Sequence, residues 1–196
     1  MKASLMGAAI LAVMVPVTAA PCLADDMKTV SCSGFELSYS DASAKQSCAE
    51  LDQQGNQTEA EYKRLEAETS SYFLTVTVGE GKFKTYFPER ELRDQVDSAH
   101  FFADTDNWLE IRKFAGFEIA AFDGYRTAGA TPTLCVAFSR YTGNMSGQYE
   151  YPGGPGYKNH TLGLYCPLTG QAALINPPDN LYRAAEDAIG KLQLPQ

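Results

Sequence analysis

The sequence predicts a single α+β domain, in which a central antiparallel β-sheet is flanked by amphipathic helices and held by two disulfides. Three observations support this fold class. Short runs rich in aromatic and β-branched residues alternate with turn residues, which is typical of antiparallel strands. Two segments carry apolar residues at helical spacing, and four cysteines follow an export signal.

The first 24 residues have the pattern of a secretory signal peptide. Lys2 precedes a run of small and apolar residues, and the small residues Cys22 and Ala24 occupy the expected cleavage-site positions. Pro16 interrupts this run, and a membrane span needs roughly 20 apolar residues. A lipid-modified Cys22 is the alternative, although Pro21 directly before it fits that signal poorly. We therefore expect a periplasmic or secreted protein without an integral membrane span in its mature chain.

Removal of the signal leaves four cysteines. An even number in an exported chain indicates disulfide bonds, because the compartment is oxidising. Proximity along the chain favours the pairs Cys32–Cys48 and Cys135–Cys166. In the chain-entropy model each such loop contributes about 3–4 kcal/mol to the free energy of unfolding. A zinc site is the alternative, but no C-x-x-C pair is present.

The exported chain divides into a polar N-terminal segment, 25–71, tied by a disulfide, and an α+β core domain, 72–196. Large apolar residues are rare in the first segment. Its one strand-like alternation, which predicts a short strand near the first disulfide, is formed by Phe35, Leu37 and Tyr39.

Two local patterns lie on either side of this boundary. In 58–68, TEAEYKRLEAE, Thr58 is followed by a glutamate three residues later, a capping box that predicts a helix. In 72–87, YFLTVTVGEGKFKTYF, Thr and Val alternate before Gly79-Glu80-Gly81, and aromatic residues follow. Because these glycines suit a turn, we expect a β-hairpin there.

Two amphipathic helices are predicted in the core domain. The segment PERELRDQVDSA, 88–99, begins with a proline and acidic residues that suit a first helical turn. The segment NPPDNLYRAAEDAIGKL, 176–192, has Asp179 or Asn180 as its capping residue. The apolar stripes are Leu92, Val96 and Ala99 in the first helix, and Leu181, Ala185, Ala188, Ile189 and Leu192 in the second.

Further strands are predicted for WLEIRKF (108–114), FEIAAFDGY (117–125), TLCVAFSRY (133–141) and TLGLYCPL (161–168), with a shorter run QAALIN (171–176). Alternation places Leu134, Val136 and Phe138 on one face, and Cys135 on the other. If Cys135 pairs with Cys166, both faces of the sheet are apolar and need cover. We expect one helix on each face.

The charge balance excludes some partners. The chain has 24 acidic and 16 basic residues, a net charge of −8, which argues against nucleic acid and anionic lipid headgroups. It suits a cationic partner. No dinucleotide fingerprint, P-loop, H-E-x-x-H pair or G-x-S-x-G elbow is present, so the sequence indicates no cofactor.

Metal sites have weak support. His100 and Asp104 have the i,i+4 spacing of a ligand pair, but a histidine at a helix end explains the pattern equally. Asp104, Asp106 and Asn107 could hold calcium, yet the chain lacks the glycine and glutamate that an EF-hand needs. Pairs of carboxylates suited to glycoside hydrolysis have no specificity in so acidic a chain. We assign no metal site and no catalytic residue.

The most distinctive stretch is GNMSGQYEYPGGPGYKNH, 143–160, between Cys135 and Cys166. About eighteen residues without regular structure are unusual in a compact domain and are often functional. Tyrosines among Gly, Ser and Asn are also typical of antibody contact loops. The candidate binding residues are Tyr141, Tyr149, Tyr151, Tyr157 and His160. The alternative is a long hairpin whose tyrosines fold back onto the sheet.

These observations favour an exported, periplasmic, non-catalytic binding protein of the cell envelope. We expect it to recognise a protein or an envelope glycan through the Tyr/Gly-rich loop, and an acidic inhibitor or immunity-type protein is one version. The first alternative is a small envelope hydrolase that uses His160 with a carboxylate. The second is a structural envelope protein whose loop only turns the chain.

Overall fold

The computed structural model describes residues 27–54, 59–82, 85–127, 130–144, 156–168 and 178–195. Strands make up 55% of the structure and helices 14%, so the protein is mostly antiparallel β-sheet and the predicted α+β class is wrong. The reason lies in the element lengths. The two helices have 7 and 12 residues, whereas six strands of the described chain run for 9 to 12 residues. The predicted signal peptide and the run 171–176 lie outside the described residues.

The elements follow one another along the described chain in this order: β1 (Lys28–Val30), β2 (Ser38–Tyr39), β3 (Lys45–Gln54), β4 (Glu59–Glu68), β5 (Tyr72–Lys82), β6 (Phe87–Pro88), α1 (Leu92–Ser98), β7 (Asp104–Asp106), β8 (Arg112–Phe114), β9 (Phe117–Tyr125), β10 (Thr133–Asn144), β11 (Gly156–Pro167), α2 (Pro178–Ile189) and β12 (Leu192–Gln193). Neither helix of this described part is long and apolar enough to cross a lipid bilayer.

One large sheet organises the molecule. Its strands are hydrogen-bonded in the order β1-β3-β4-β5-β11-β10-β9-β7, with β6 paired to β11 and β8 paired to β9. All these pairings are antiparallel. The short strands β12 and β2 form a separate pair, which joins the C-terminal end of the described chain to its N-terminal part.

Each face of the sheet is covered by one helix, as the strand alternation predicted. We call the two sides of the sheet the α1 face and the α2 face, after the helix that covers each. On the α2 face, residues of the strands pack against Leu181, Tyr182, Ala185 and Ile189 of the helix; these strand residues are Leu65, Leu74, Val76, Val136, Phe138 and Tyr165. The α1 face packs Ala120, Phe122, Cys135, Leu162 and Leu164 against Leu92 and Val96. Because side chains alternate along each strand, a single strand such as β10 contributes to both cores.

Both predicted disulfides are confirmed. Cys135 of β10 and Cys166 of β11 lie on neighbouring strands with their Cα atoms 4.3 Å apart. Cys32 is bonded to Cys48 of β3, with a Cα separation of 5.3 Å. These bonds are consistent with a secreted protein.

The helix predicted over 58–68 is wrong, because these residues form β4. The strand pairs along its full length with β3 on one side and with β5 on the other. Leu65 and Ala67 are fully buried on the α2 face, which is the two-residue spacing of a strand. The two ladders and this burial override the local helix signal.

The hairpin predicted around Gly79-Glu80-Gly81 is also wrong, because β5 continues through these residues to Lys82. The glycines provide space rather than a turn. A Cβ atom at position 79 would lie 2.8 Å from the Phe87 ring, and one at position 81 would lie 2.2 Å from the Thr85 carbonyl oxygen. The chain at 85–88 therefore crosses close to β5.

Two further boundaries differ from the prediction. Helix α1 begins at Leu92, and Pro88 instead belongs to β6, which pairs with the start of β11. Only Arg112–Phe114 of the predicted strand 108–114 is a strand. Trp108 lies outside this strand. Its ring stacks on Phe122 with ring centroids 4.4 Å apart, and this contact accounts for the aromatic side chain at position 108.

Candidate binding groove

The base of the predicted binding loop is a regular part of the sheet. Strand β10 extends to Asn144 and β11 begins at Gly156, so the ends of the segment 143–160 are paired. In this register Tyr141 lies opposite His160, and Asn144 lies opposite Tyr157. Three of the five predicted binding residues are therefore on strands. The other two, Tyr149 and Tyr151, lie outside the described residues.

Four aromatic rings follow one another across this region. The Tyr141 ring contacts Tyr157 at a centroid distance of 5.1 Å and stacks on His160 at 4.6 Å, with an angle of 21° between the latter two planes. Phe87 contacts the His160 ring at 5.8 Å. The predicted residues Tyr141, Tyr157 and His160 are thus brought together, and Phe87 joins them from β6.

His160 has a neutral hydrogen-bond partner. Its Nε2 atom lies 2.7 Å from Oε1 of Gln95, a buried residue of α1. The Gln95 amide nitrogen donates to the carbonyl oxygen of Arg90 at 2.8 Å. This second bond identifies the Gln95 oxygen as the atom that faces His160. The histidine must then donate, which places its proton on Nε2.

This environment keeps His160 uncharged. Burial of the ring, and secondly the positive charge of Arg90, lower the pKa of His160 to about 4. An imidazolium here would be enclosed by rings and an amide, and it would face a like charge. The ring is therefore neutral at pH 7.

The segment before α1 is linked to the hairpin by two hydrogen bonds. The backbone N–H of Arg90 donates to the Tyr141 hydroxyl at 3.3 Å, and the Tyr157 hydroxyl donates to the Glu89 carboxylate at 3.1 Å. Burial raises the pKa of Tyr141 to about 12, and burial together with the Glu89 contact raises that of Tyr157. Both phenols are protonated at neutral pH; Tyr157 donates its proton to Glu89, and the Tyr141 hydroxyl, which accepts from Arg90, can still donate its own.

Beside the four rings, the α1 face opens into a groove with a cavity volume of about 320 Å³. Its position follows from the placement of α1, which packs over β9 and β10 and leaves β5 and β11 less covered. The lining includes rings from Tyr62, Phe87, Phe101, Tyr141 and His160, the apolar Leu162, and polar groups from Arg64, Thr77, Arg90 and Ser98. A mostly apolar wall with a few polar groups is typical of ligand sites.

Two arginines give the groove a positive charge. Arg64 of β4 is half-buried, and its Nε atom donates to the Thr77 hydroxyl at 3.3 Å. Arg90 is exposed at the rim. Within the described ranges, no carboxylate lies within 4.0 Å of either guanidinium. In a chain of net charge −8, this is a locally cationic surface.

Several residues of the groove were not predicted from the sequence. Arg64 was missed because β4 was assigned as a helix; in a strand it shares a face with Tyr62. Gln95 could have been identified as a candidate site residue from the sequence, because it is a polar residue within the apolar stripe of α1, three residues after Leu92. Phe87 and Phe101 lie in short or irregular segments, where no periodicity marks a face.

The candidate metal ligands of the sequence are involved in other contacts. His100 follows α1 in a left-handed conformation with φ 53°. The Asp106 carboxylate accepts a hydrogen bond from the backbone of Asn107, and the Asn107 amide donates to Asp123. No group of three or more His, Cys, Asp or Glu side chains in the described part is arranged to hold a metal ion.

No family model, curated protein or solved structure matches this chain. The groove is therefore interpreted from its own geometry.

Proposed function

We propose that this protein is an exported, non-catalytic binding protein of the cell envelope, which recognises a glycan or a protein at the groove on its α1 face. The observation that carries the proposal is the groove itself, whose lining combines aromatic rings with two arginines that have no carboxylate of the described residues within 4.0 Å. Rings offer flat apolar contacts, and unpaired guanidinium groups offer hydrogen bonds to an anionic or hydroxylated ligand. Tyr141 and Tyr157, on the paired ends of β10 and β11, contact each other beside this groove.

The contacts of His160 favour binding over hydrolysis. A histidine that acts as a general base needs a free nitrogen near its substrate, and a carboxylate commonly orients the ring. Here Nε2 carries the proton and donates it to the Gln95 amide, the rings of Phe87 and Tyr141 contact the imidazole, and the pKa of about 4 makes the remaining nitrogen, Nδ1, a weak base at neutral pH. No carboxylate of the described residues is hydrogen-bonded to His160. The imidazole is better suited to supporting the wall of a binding site.

The distribution of charge distinguishes between an inhibitor of a cationic enzyme and a protein that binds an anionic ligand. An acidic inhibitor of a cationic enzyme is supported by the net charge of −8 alone. The groove, in contrast, has Arg64 and Arg90 among its lining residues and favours an anionic ligand. A purely structural role gives no reason for the half-buried rings and the two arginines to line an open groove. Export to the periplasm follows from the signal peptide pattern and agrees with the two disulfides.

The proposal is tested by ligand binding to matched variants. The exported chain would be screened on immobilised envelope glycans and against solubilised envelope proteins, in its native form and as Tyr62→Ala and Arg64→Gln. Arg183→Gln is the control, because Arg183 is exposed on α2, on the opposite face of the sheet. We expect one ligand class to bind the native protein and the control at least about tenfold more tightly than the groove variants. Equal binding by all four proteins would rule out this groove as the recognition site.

A further inference from the structure

A second cavity continues the groove along the same face of the sheet. It has a volume of about 590 Å³, and Phe101 lines both cavities. Its lining also includes Phe73, Thr75, Phe102, Arg126, Leu164 and Cys166. We call the two cavities together the α1-face groove.

The floor of the α1-face groove is a row of cross-strand pairs between β5 and β11. In order along the sheet these pairs are Gly79 with His160, Thr77 with Leu162, Thr75 with Leu164, and Phe73 with Cys166. The first two pairs line the first cavity, and the last two line the second. From Phe73 to Gly79 the strand advances six steps of about 3.3 Å each, which makes the floor about 20 Å long. This length suits a chain of several monomer units better than a single small molecule.

Positive charge is present in both cavities. Arg64 and Arg90 line the first cavity, and Arg126 lines the second. As with the first two arginines, no carboxylate in the described part of the chain lies within 4.0 Å of the Arg126 guanidinium. Cations separated in this way along a groove match a ligand with repeated negative charges.

Thr75, one of the residues that line the second cavity, has a hydroxyl group without a partner among the described residues. Its side chain is 2% exposed, and its hydroxyl oxygen is buried. Buried hydroxyl groups are normally hydrogen-bonded, because water is no longer available to them. A rotation of this side chain toward the cavity would allow a ligand hydroxyl to supply the missing partner.

At the floor of the α1-face groove, strand β5 offers no free backbone edge to a peptide. Strand β5 is paired with β4 on one side and with β11 on the other, so an extended peptide cannot add to it as a further strand. The available groups are instead side chains: the rings of Tyr62, Phe87, Phe101 and Phe102, the hydroxyls of Thr75, Thr77 and Ser98, and the three arginines. Rings and side-chain hydroxyls together suit sugars, whose apolar ring faces alternate with hydroxyl groups.

We propose that the α1-face groove binds an acidic oligosaccharide whose sugars carry carboxylate groups. Arg64 and Arg90 hold one acidic sugar, Arg126 holds another, and Phe101 contacts the sugar between them. The planar guanidinium groups match the planar carboxylates. This inference rests on the proposed function, since it names the ligand class of the same site.

The test is titration calorimetry of the exported chain with tetragalacturonate, a chain of four carboxylated sugars, and with maltotetraose, which is neutral. We expect saturable binding of tetragalacturonate only, weakened at least about tenfold at high salt because exposed charges are then screened. Arg64→Gln and Arg126→Gln should each weaken binding by about tenfold, as removal of a charge-assisted hydrogen bond does. Arg183→Gln, on the opposite face, should bind as the native protein does.

The length of the ligand provides a second comparison. Galacturonate as a single sugar can contact only one end of the groove. Its binding should therefore be weakened by only one of the two substitutions, either Arg64→Gln or Arg126→Gln. Circular dichroism of each variant checks that the fold is kept, and the exposed position of Arg126 makes unfolding of that variant unexpected.

Three results would overturn the inference. If maltotetraose binds as tightly as tetragalacturonate, negative charge on the ligand is not what the groove recognises. If Arg126→Gln does not weaken the binding of tetragalacturonate, the second cavity is not part of the binding site. Binding of a peptide with a free terminal carboxylate, in place of either saccharide, would change the ligand class while the proposed binding function stands. The proposed function itself fails only if the groove substitutions affect no ligand in the envelope screen.

Discussion

His160 and Gln95 are joined by a hydrogen bond of 2.7 Å although 65 residues separate them in the sequence. The bond connects β11 to α1 and forms part of the groove wall. Because the Gln95 amide nitrogen is already used by the Arg90 carbonyl, the bond also determines which nitrogen of His160 carries the proton. Two predictions concern this contact, and two others concern the Asp41 carboxylate and Gly163.

We predict that His160 is a neutral Nε2–H tautomer at pH 7 and titrates with a pKa of about 4. Nitrogen-15 NMR of the imidazole rings, with a His100→Ala variant to assign the two histidines, measures both properties. In Gln95→Glu a carboxylate replaces the amide, and its negative charge should raise the pKa of His160 by more than one unit. An Nδ1–H tautomer in the native protein would contradict the hydrogen-bond pattern.

The lowered pKa of His160 predicts a loss of stability between about pH 6.5 and pH 4. In this window the unfolded chain binds a proton at His160 and the folded protein does not, so acidification favours unfolding. The loss at pH 4 is at most about 3 kcal/mol, since one pKa unit corresponds to about 1.4 kcal/mol. Urea unfolding at several pH values measures it. The free energy of unfolding of His160→Gln should change less with pH in this window than that of the native protein. An equal pH dependence of the two proteins would refute the lowered pKa of His160.

A second acid-dependent contact lies at the other end of the molecule. Asp41 accepts a hydrogen bond from Lys191 at 2.8 Å and another from the Tyr72 hydroxyl at 3.0 Å, and Tyr72 is bonded to Tyr39. The hydrogen bond from Lys191, followed by those from Ser43 and Tyr72, holds the pKa of Asp41 well below its usual value. Its stabilisation is therefore present above about pH 4 and is lost as the pH falls further.

Asp41→Asn should accordingly lower the melting temperature at pH 7, because it removes the charged acceptor of Lys191. At pH 2.5 the difference from the native protein should become smaller, since the native carboxylate then begins to be protonated. Thermal unfolding followed by circular dichroism provides both values. A difference that stays constant down to this pH would show that charge is not the cause.

Gly163 is required for packing in the centre of the sheet. It lies opposite Phe138, and a Cβ atom at position 163 would be 2.2 Å from the Phe138 ring, which is fully buried and contacts Phe117 edge-on. Gly163→Ala should therefore lower the free energy of unfolding by about 1–3 kcal/mol, as overpacked cores do. Gly190→Ala is the matched control, because its nearest contact would be a milder 3.3 Å. Equal stability of the two variants would contradict this packing.

Much of the groove could not be predicted from the sequence, although some of its parts could. Tyr141, Tyr157 and His160 were predicted from composition, and the structure brings these three together. The same composition suggested an irregular loop, whereas these residues lie on paired strands. The glycine and tyrosine content of a segment indicates that the segment is unusual. It does not indicate at which residue the hydrogen-bonded pairing of the two strands ends.

The helix predicted over 58–68 was wrong for a specific reason. In 58–68 the charged residues and the capping pattern are compatible with a helix in isolation, and the apolar residues are too few to decide. Pairing with β3 and β5 along ten residues makes this segment a strand. The glycines of β5 were misread in the same way, because the chain that passes close to them is Phe87 and Thr85, which no local pattern reveals.

Features that depend on nearby residues and on simple periodicity could be read from the chain alone. These are the two disulfide pairs, the strand 117–125, the terminal helix, and the apolar character of both faces of β10 and β11. The strand conformation of β4, the course of β5 and the first cavity, which combines side chains from β4, β5, β6, α1, β10 and β11, depend on the folded arrangement. Sheet hydrogen bonds and ring contacts join residues far apart in the chain, so their energies have no local signature in the sequence.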